Sequence, residues 1–226
     1  MGRVMCAVTE KGGSGKSTLI TNVAVQWASK GQRVLILDLD PQKSVTTWSQ
    51  VRATVDEMAG EVEVAYVEGN MLGKLLSNLK DDYDVILLDV PGADNGLLRM
   101  ALMQADLAVL PFTVGGFDFL TSSHTLALVR EAQELREEVE QLTPLRSALF
   151  LNMTRPNSVG ARGLKNHFAR ELEHVTPCES ELGYLDDFWG AAQAGLGVVE
   201  FNKRGSAAKQ LRDLANELEG MLQEAT

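Results

Sequence analysis

The segment Lys11-Gly12-Gly13-Ser14-Gly15-Lys16-Ser17-Thr18 limits what this chain can fold into more than any other feature. It lies between a short apolar run, Arg3 to Thr9, and a segment from Lys16 to Lys30 with apolar positions at helical spacing. Those positions are Leu19, Ile20, Val23, Ala24, Trp27 and Ala28, and Gly31 ends the pattern. A strand, a glycine-rich turn and a helix in that order let successive backbone N–H groups curl around a phosphate. Glycine supplies the backbone angles that a Cβ would forbid, and the helix N-terminus adds a field that favours an anion. In this arrangement Lys16 reaches the β- and γ-phosphates, the Ser17 hydroxyl coordinates Mg²⁺, and Thr18 contacts the α-phosphate. A chance glycine-rich turn would leave both the Lys-Ser ending and the strand–helix frame unexplained.

The rest of the chain alternates apolar runs with helical segments, which predicts a parallel sheet with crossover helices. Arg33–Asp38, Tyr83–Asp89, Leu107–Pro111 and Arg146–Asn152 read as further strands, the first two without alternation, as for strands buried on both faces. Val62–Val67 reads as an edge strand and His174–Cys178 as a weaker one. Helices are expected over Ser44–Met58, Met71–Leu79, Asn95–Gln104, Phe117–Glu140, Val159–Leu172 and Ser206–Glu224. The last places Ala207, Leu211, Leu214, Leu218 and Met221 on one face. The fold class is therefore α/β, doubly wound, a mostly parallel sheet with helices on both faces. With 226 residues and no linker, a single domain over 1–226 is expected.

No run approaches the roughly 18 consecutive apolar residues of a transmembrane helix, and Glu10 and Lys11 break the opening run too early for a signal peptide. Cys6 and Cys178 read as reduced thiols of a cytoplasmic protein. The net charge of −10 argues against binding polyanions over the whole surface, so any nucleic-acid contact needs a local basic patch.

Acidic residues close two of the strands. Asp38 and Asp40 fall at the carboxyl end of the second strand, in Leu37-Asp38-Leu39-Asp40-Pro41-Gln42, where ligands bind in such sheets. Both also suit turn or capping roles. Asp89 ends Asp84-Val85-Ile86-Leu87-Leu88-Asp89, the apolar run and acid of a Walker B strand, which holds Mg²⁺ through a water.

The form Lys-Gly-Gly-x-Gly-Lys-Ser, with Glu10 where the general phosphate loop has glycine, resembles the deviant Walker A motif of the ParA/MinD ATPase family. The resemblance runs through nearly the whole chain. Around Asp40-Pro41-Gln42-Lys43-Ser44-Val45-Thr46-Thr47-Trp48-Ser49 it is similar to the short ParA proteins of plasmid partition systems, which lack an N-terminal DNA-reading domain. It implies ATP and Mg²⁺ as ligands, and an ATP-dependent homodimer in which Lys11 reaches the phosphates bound by the partner subunit. By the same match Asp40 orients or deprotonates the attacking water, with Asp38 supporting it. Ser17, Asp40 and Asp89 surround the metal, the acids through water. Asn152, following the strand that ends at Leu151, falls where family members contact adenine, although asparagine also favours strand-end turns. Pro91-Gly92 departs from the family's usual Asp-x-Pro-Pro turn.

The family's ATP-bound dimers bind a surface and are released by a partner protein of the ParB type. Glu217, Glu219 and Glu224, with no Lys or Arg after Leu214, are the wrong charge for anionic lipid, which turns the expectation away from membrane. For non-specific DNA the best cluster is Lys203, Arg204, Lys209 and Arg212, with Arg155, Arg162, Lys165 and Arg170 as a second group. A solvated helix face explains the same charges equally well. Three outputs remain open: partition or positioning of DNA or other cargo over the nucleoid, positioning of a protein or polar assembly without DNA, and a metabolic P-loop ligase. His124, His167 and His174 have no metal-ligand spacing.

Overall fold

The computed structural model describes residues 2–56, 60–68, 71–92, 95–113, 118–139, 142–155 and 174–224. Seven described strands form one sheet: β1 (Arg3–Ala7), β2 (Val34–Asp38), β3 (Val62–Tyr66), β4 (Val85–Asp89), β5 (Leu107–Thr113), β6 (Arg146–Thr154) and β7 (Thr176–Gly183). Their order is β3-β2-β4-β1-β5-β6-β7, and every described pairing is parallel. All carboxyl ends therefore open on the same edge of the sheet, with β1 between β4 and β5.

Alternation along the strands divides the core in two. Met5, Ala7, Ile36, Leu87, Val109 and Phe150 face one layer, which packs against α1 (Lys16–Ala28), α2 (Ser44–Arg52), α6 (Asp186–Gln193), α7 (Val198–Phe201) and α8 (Ser206–Gln223). Val4, Cys6, Leu37, Leu88 and Leu110 face the other, against α3 (Leu72–Leu79), α4 (Asn95–Gln104) and α5 (Asp118–Glu137). This is the doubly wound architecture that uninterrupted apolar strands demand. Helix α8 lays Ala207, Leu211, Leu214, Leu218 and Leu222 on the sheet, and the indole of Trp27 donates to the Ala215 carbonyl at 3.2 Å. Each buried leucine contributes about 2 kcal/mol, so the apolar face of this helix is already occupied by the core.

Several expected boundaries move, each for a physical reason. Helix α2 stops at Arg52, short of Met58. The Arg52 guanidinium is buried in an ion pair with Glu200 and also donates to the carbonyls of Gly60 and Gly195, which fixes the chain where it turns. Strand β5 runs two residues past Pro111, because Phe112 is buried in the second layer. Strand β6 continues to Thr154 in the same way. Strand β7 begins later than His174 and extends to Gly183. Its outward Glu179 and Glu181 disguise it, while Cys178 and Leu182 point inward. Its outer edge is covered by side chains of α8: Glu217 accepts from the N–H groups of Glu179 and Ser180, and Gln210 from that of Gly183. Helices α6 and α7 were not anticipated. The expected helix Val159–Leu172, with Arg162, Lys165 and Arg170, lies outside the described residues.

Candidate functional site

The loop between β1 and α1 lies at the carboxyl edge of the sheet. Gly13 and Gly15 adopt φ of 72° and 92°, in the left-handed region that glycine enters freely. Lys16, at the first turn of α1, is 8% exposed, and its ammonium donates to the Thr9 carbonyl at 3.1 Å. Burial lowers its pKa, while the carboxylates of Asp89 and Asp40 pull it back up.

Beside it the Ser17 hydroxyl donates to Asp89 Oδ2 at 2.7 Å. Asp89 is fully buried and stands opposite Asp38 in the strand register. Burial, with the Asp38 charge adding to it, pushes the Asp89 carboxyl up to about 7, although the Ser17 hydrogen bond and Lys16 act in the opposite sense. Its Oδ1 is buried without a hydrogen-bond partner. A hydroxyl and a buried carboxylate with an unused oxygen are a donor set that fits a hard divalent cation.

The two acids of the second strand have different surroundings. Asp38 ends β2, fully buried, and its Oδ2 accepts from the N–H and hydroxyl of Thr46, capping the first turn of α2. Its Oδ1 accepts from the Asp40 N–H at 3.1 Å. Asp40 lies in the loop beyond the strand, half-buried, with Oδ1 accepting from the Gln42 N–H at 2.9 Å. Asp38 thus holds the loop that presents Asp40 toward Lys16. The Pro91-Gly92 departure also has a steric basis. A Cβ on Gly92 would lie 2.8 Å from the Glu10 carbonyl oxygen and 3.3 Å from Lys16 Nζ, so the turn after β4 rests directly on the phosphate loop.

Lys11 stands apart from this buried group. It is exposed at the rim of the loop, with its ammonium 3.4 Å from the Thr113 hydroxyl at the end of β5. The preceding Glu10 meets His124 Nδ1 of α5 at 2.7 Å.

At the other end of the loop, Asn152 Nδ2 donates to the Ser14 carbonyl at 2.7 Å, and its Oδ1 accepts from the Met153 N–H. The amide expected to meet a base is found bracing the phosphate loop across 138 residues of sequence. Met153 has φ of 53°, a costly conformation for a residue with a Cβ. It borders a cavity of about 330 Å³ whose other walls include Gly15, Thr18, Tyr184, Phe188 and Trp189. The three aromatic residues were missed by sequence reasoning. Their signal was the density of rings in Tyr184-Leu185-Asp186-Asp187-Phe188-Trp189.

The basic cluster lies at the same edge of the sheet, since α8 begins beside Gly183. Lys203 and Arg204 are exposed in the turn before α8, Lys209 pairs with Asp213 at 2.8 Å, and Arg212 donates to the Lys203 carbonyl. Arg155 is exposed after β6. Among the described residues no His, Cys, Asp and Glu cluster of metal-binding type occurs, and no helix is long and apolar enough to cross a membrane.

The chain resembles the maintenance of carboxysome distribution protein A of Halothiobacillus neapolitanus, at 25% identity over 92% of each chain. It also resembles a probable plasmid-partitioning protein ParA of Thermus thermophilus, at 26% identity over 80% of this chain and 67% of that one. The fold is shared with a cobyrinic acid a,c-diamide synthase of Mycobacterium smegmatis, solved with bound ADP and magnesium, at TM-score 0.74 and 16% identity over 100% of this chain and 97% of that one. The family model of the ATPase MipZ matches residues 3–127, more than half of the sequence. With the phosphate loop, its lysines and the parallel sheet in place, the chain belongs to the MipZ ATPase family, among the ParA/MinD-type P-loop ATPases.

Proposed function

We propose that this protein is an ATP-hydrolysing dimerisation switch that positions DNA or another large cargo in the cytoplasm. The observation that carries this reading is the different placement of two lysines in one loop. Lys16 is buried beside Asp89 and Ser17, whereas Lys11 projects at the rim, five residues earlier. A rim lysine can reach the γ-phosphate of a second copy facing it, which ties association to the triphosphate.

Within one subunit the loop N–H groups and Lys16 hold the β- and γ-phosphates in line for attack. Water attacks the γ-phosphorus, the bond to the β-phosphate oxygen breaks, and Asp40 orients that water and takes up its proton. Ser17, Asp89 and Asp40 are the residues that would hold Mg²⁺, and the cation would supply positive charge that offsets the charge of the phosphates. Asn152 keeps the loop in register by bonding the Ser14 carbonyl.

The output assigned to the switch is non-specific DNA, through Lys203, Arg204 and Arg212 on the edge shared with the site, and a ParB-like partner would stimulate release. A second reading, cargo positioning without DNA, is favoured by the net charge of −10 and by the Lys209–Asp213 pair, which spends one of the four cations. A metabolic ligase on the same fold requires no association through Lys11.

Sedimentation with ATP or ADP tests the switch. The wild type is expected to dimerise with ATP and not with ADP, and Lys11→Ala to remain monomeric with both. An ATP-independent oligomeric state would overturn the reading. Binding of random duplex DNA by the ATP form, falling steeply with salt, separates the first output from the second.

A further inference from the structure

Lys43, in the turn that carries Asp40, goes against local preference twice. It is the N-cap of α2, a position that favours serine, threonine, asparagine or aspartate, yet its side chain makes no capping bond. Its backbone lies at φ of 53° and ψ of 37°, the left-handed region that a residue with a Cβ enters at a cost. A conformation of this kind persists where the surroundings impose it, and such positions gather at functional sites.

The surrounding bonds do impose it. The Lys43 N–H donates to the Asp40 carbonyl at 2.8 Å, closing the turn Asp40-Pro41-Gln42-Lys43. Inside that turn the Gln42 N–H donates to Asp40 Oδ1, so the direction of the carboxylate follows the shape of the turn. The exposed Lys43 ammonium lies 4.0 Å from the centre of the Tyr66 ring, a cation over the negative face of an aromatic. Tyr66 ends the edge strand β3, opposite Asp38 in the strand register, and the next N–H, that of Val67, donates to the Asp38 carbonyl. The ring packs into neither core layer and is 39% exposed, so the core does not account for it. Asp38 ties the start of the loop through the Asp40 N–H and the first turn of α2 through Thr46. The contact of Lys43 with Tyr66 ties the corner between them to the neighbouring strand.

We infer that Lys43 and Tyr66 are positioning residues for ATP hydrolysis, and that the ammonium–ring contact latches the turn with Asp40 directed at the attacking water. This rests on the role given to Asp40 above and deepens it. Only molecules with the turn closed present the carboxylate correctly, so loosening the latch lowers turnover by the fraction lost. The phosphate loop comes from a different strand and keeps its affinity.

The test compares Lys43→Gly, Lys43→Arg, Tyr66→Leu and Tyr66→Phe in the full chain. Phosphate release is measured where the ATP-bound dimer is fully formed, with ADP affinity from titration calorimetry and the melting temperature alongside. Glycine suits a φ of 53°, so in Lys43→Gly relief of the backbone offsets the lost ring contact. That variant is expected to melt no lower than the wild type while kcat falls about 5-fold, with KM and ADP affinity unchanged. Tyr66→Leu is expected to show the same fall in kcat, and the two changes together to fall no further than either alone. Lys43→Arg and Tyr66→Phe, which keep a cation over a ring, are expected to turn over as the wild type does. Wild-type kcat in Lys43→Gly overturns the inference and leaves Asp40 its role. A fall in kcat that comes with a lower melting temperature in Lys43→Gly overturns it by assigning the pair to stability, and a loss of ADP affinity does so by assigning it to nucleotide binding. Undiminished hydrolysis by Asp40→Ala overturns both the inference and the reading beneath it.

Discussion

The phosphate loop and the aromatic cavity beside it are built in opposite ways. The phosphate end comes from one contiguous loop, Lys11 to Thr18, with acids from the carboxyl ends of two adjacent strands. Its charged centre is buried and internally bonded, Lys16 to Thr9, Ser17 to Asp89 and Asp38 to Thr46, and only the rim with Lys11 is exposed. The cavity comes from the tails of β6 and β7 and from α6, is open to solvent, and presents large aromatic rings. Charge must be held in place before the ligand arrives, because an unpaired buried charge is costly. One residue, Asn152, joins the two ends.

That contrast can be broken at several points, and the largest effect is expected at the phosphate end. Lys16→Ala removes the buried cation and is expected to slow phosphate release from ATP by about 1000-fold. A variant that retains half of the activity would mean that the phosphates lie elsewhere. Gly15→Ala strikes the junction. Its Cβ would collide with the Asn152 amide in a backbone region that alanine avoids, at a cost of about 2 kcal/mol in unfolding free energy. Denaturant melts should show this loss together with weaker ADP binding, which would confirm that one loop serves both ends.

Asp89 tests the internal strain of the phosphate end through pH. Its carboxyl is raised from 3.8 to about 7, so the folded protein holds a proton that the unfolded chain releases. That contribution to stability is complete below the unfolded value and is lost as pH rises through the folded one. With magnesium chelated, Asp89→Asn is therefore expected to gain about 2 kcal/mol on the wild type between about pH 5 and pH 8. A pH-independent difference would show that the carboxyl is already ionised in the folded state. Magnesium should close the gap by stabilising the wild type alone.

The same contrast explains what was legible in the sequence. The loop, Asp38, Asp40 and Asp89 could be read because each belongs to a short contiguous pattern at a strand end, and the central strands are apolar on both faces. Tyr184 and Trp189 could not, because their segment folds into helices of eight and four residues, too short for a periodic signal. Strand β7 was shortened because Glu179 and Glu181 face outward and its edge is satisfied by Glu217 and Gln210, partners that only tertiary structure supplies. The buried pair of Arg52 and Glu200 joins residues 148 apart and ends α2 six residues before the pattern suggested. Ring density between β7 and α8 was the one available sign of the cavity.

The central claim is that Lys11 acts across a subunit boundary. Mixing Lys11→Ala subunits with Asp40→Ala subunits tests it most directly, by measuring phosphate release from ATP. Each variant alone is expected to be inactive. In a mixed dimer, one site keeps its own Asp40 and receives Lys11 from the partner. The mixture should therefore recover activity that neither variant shows alone, up to about half of the wild-type rate, since each mixed dimer has one complete site of its two. A mixture as inactive as its components, under conditions where mixed dimers are shown to form, would contradict the account and assign Lys11 to its own subunit.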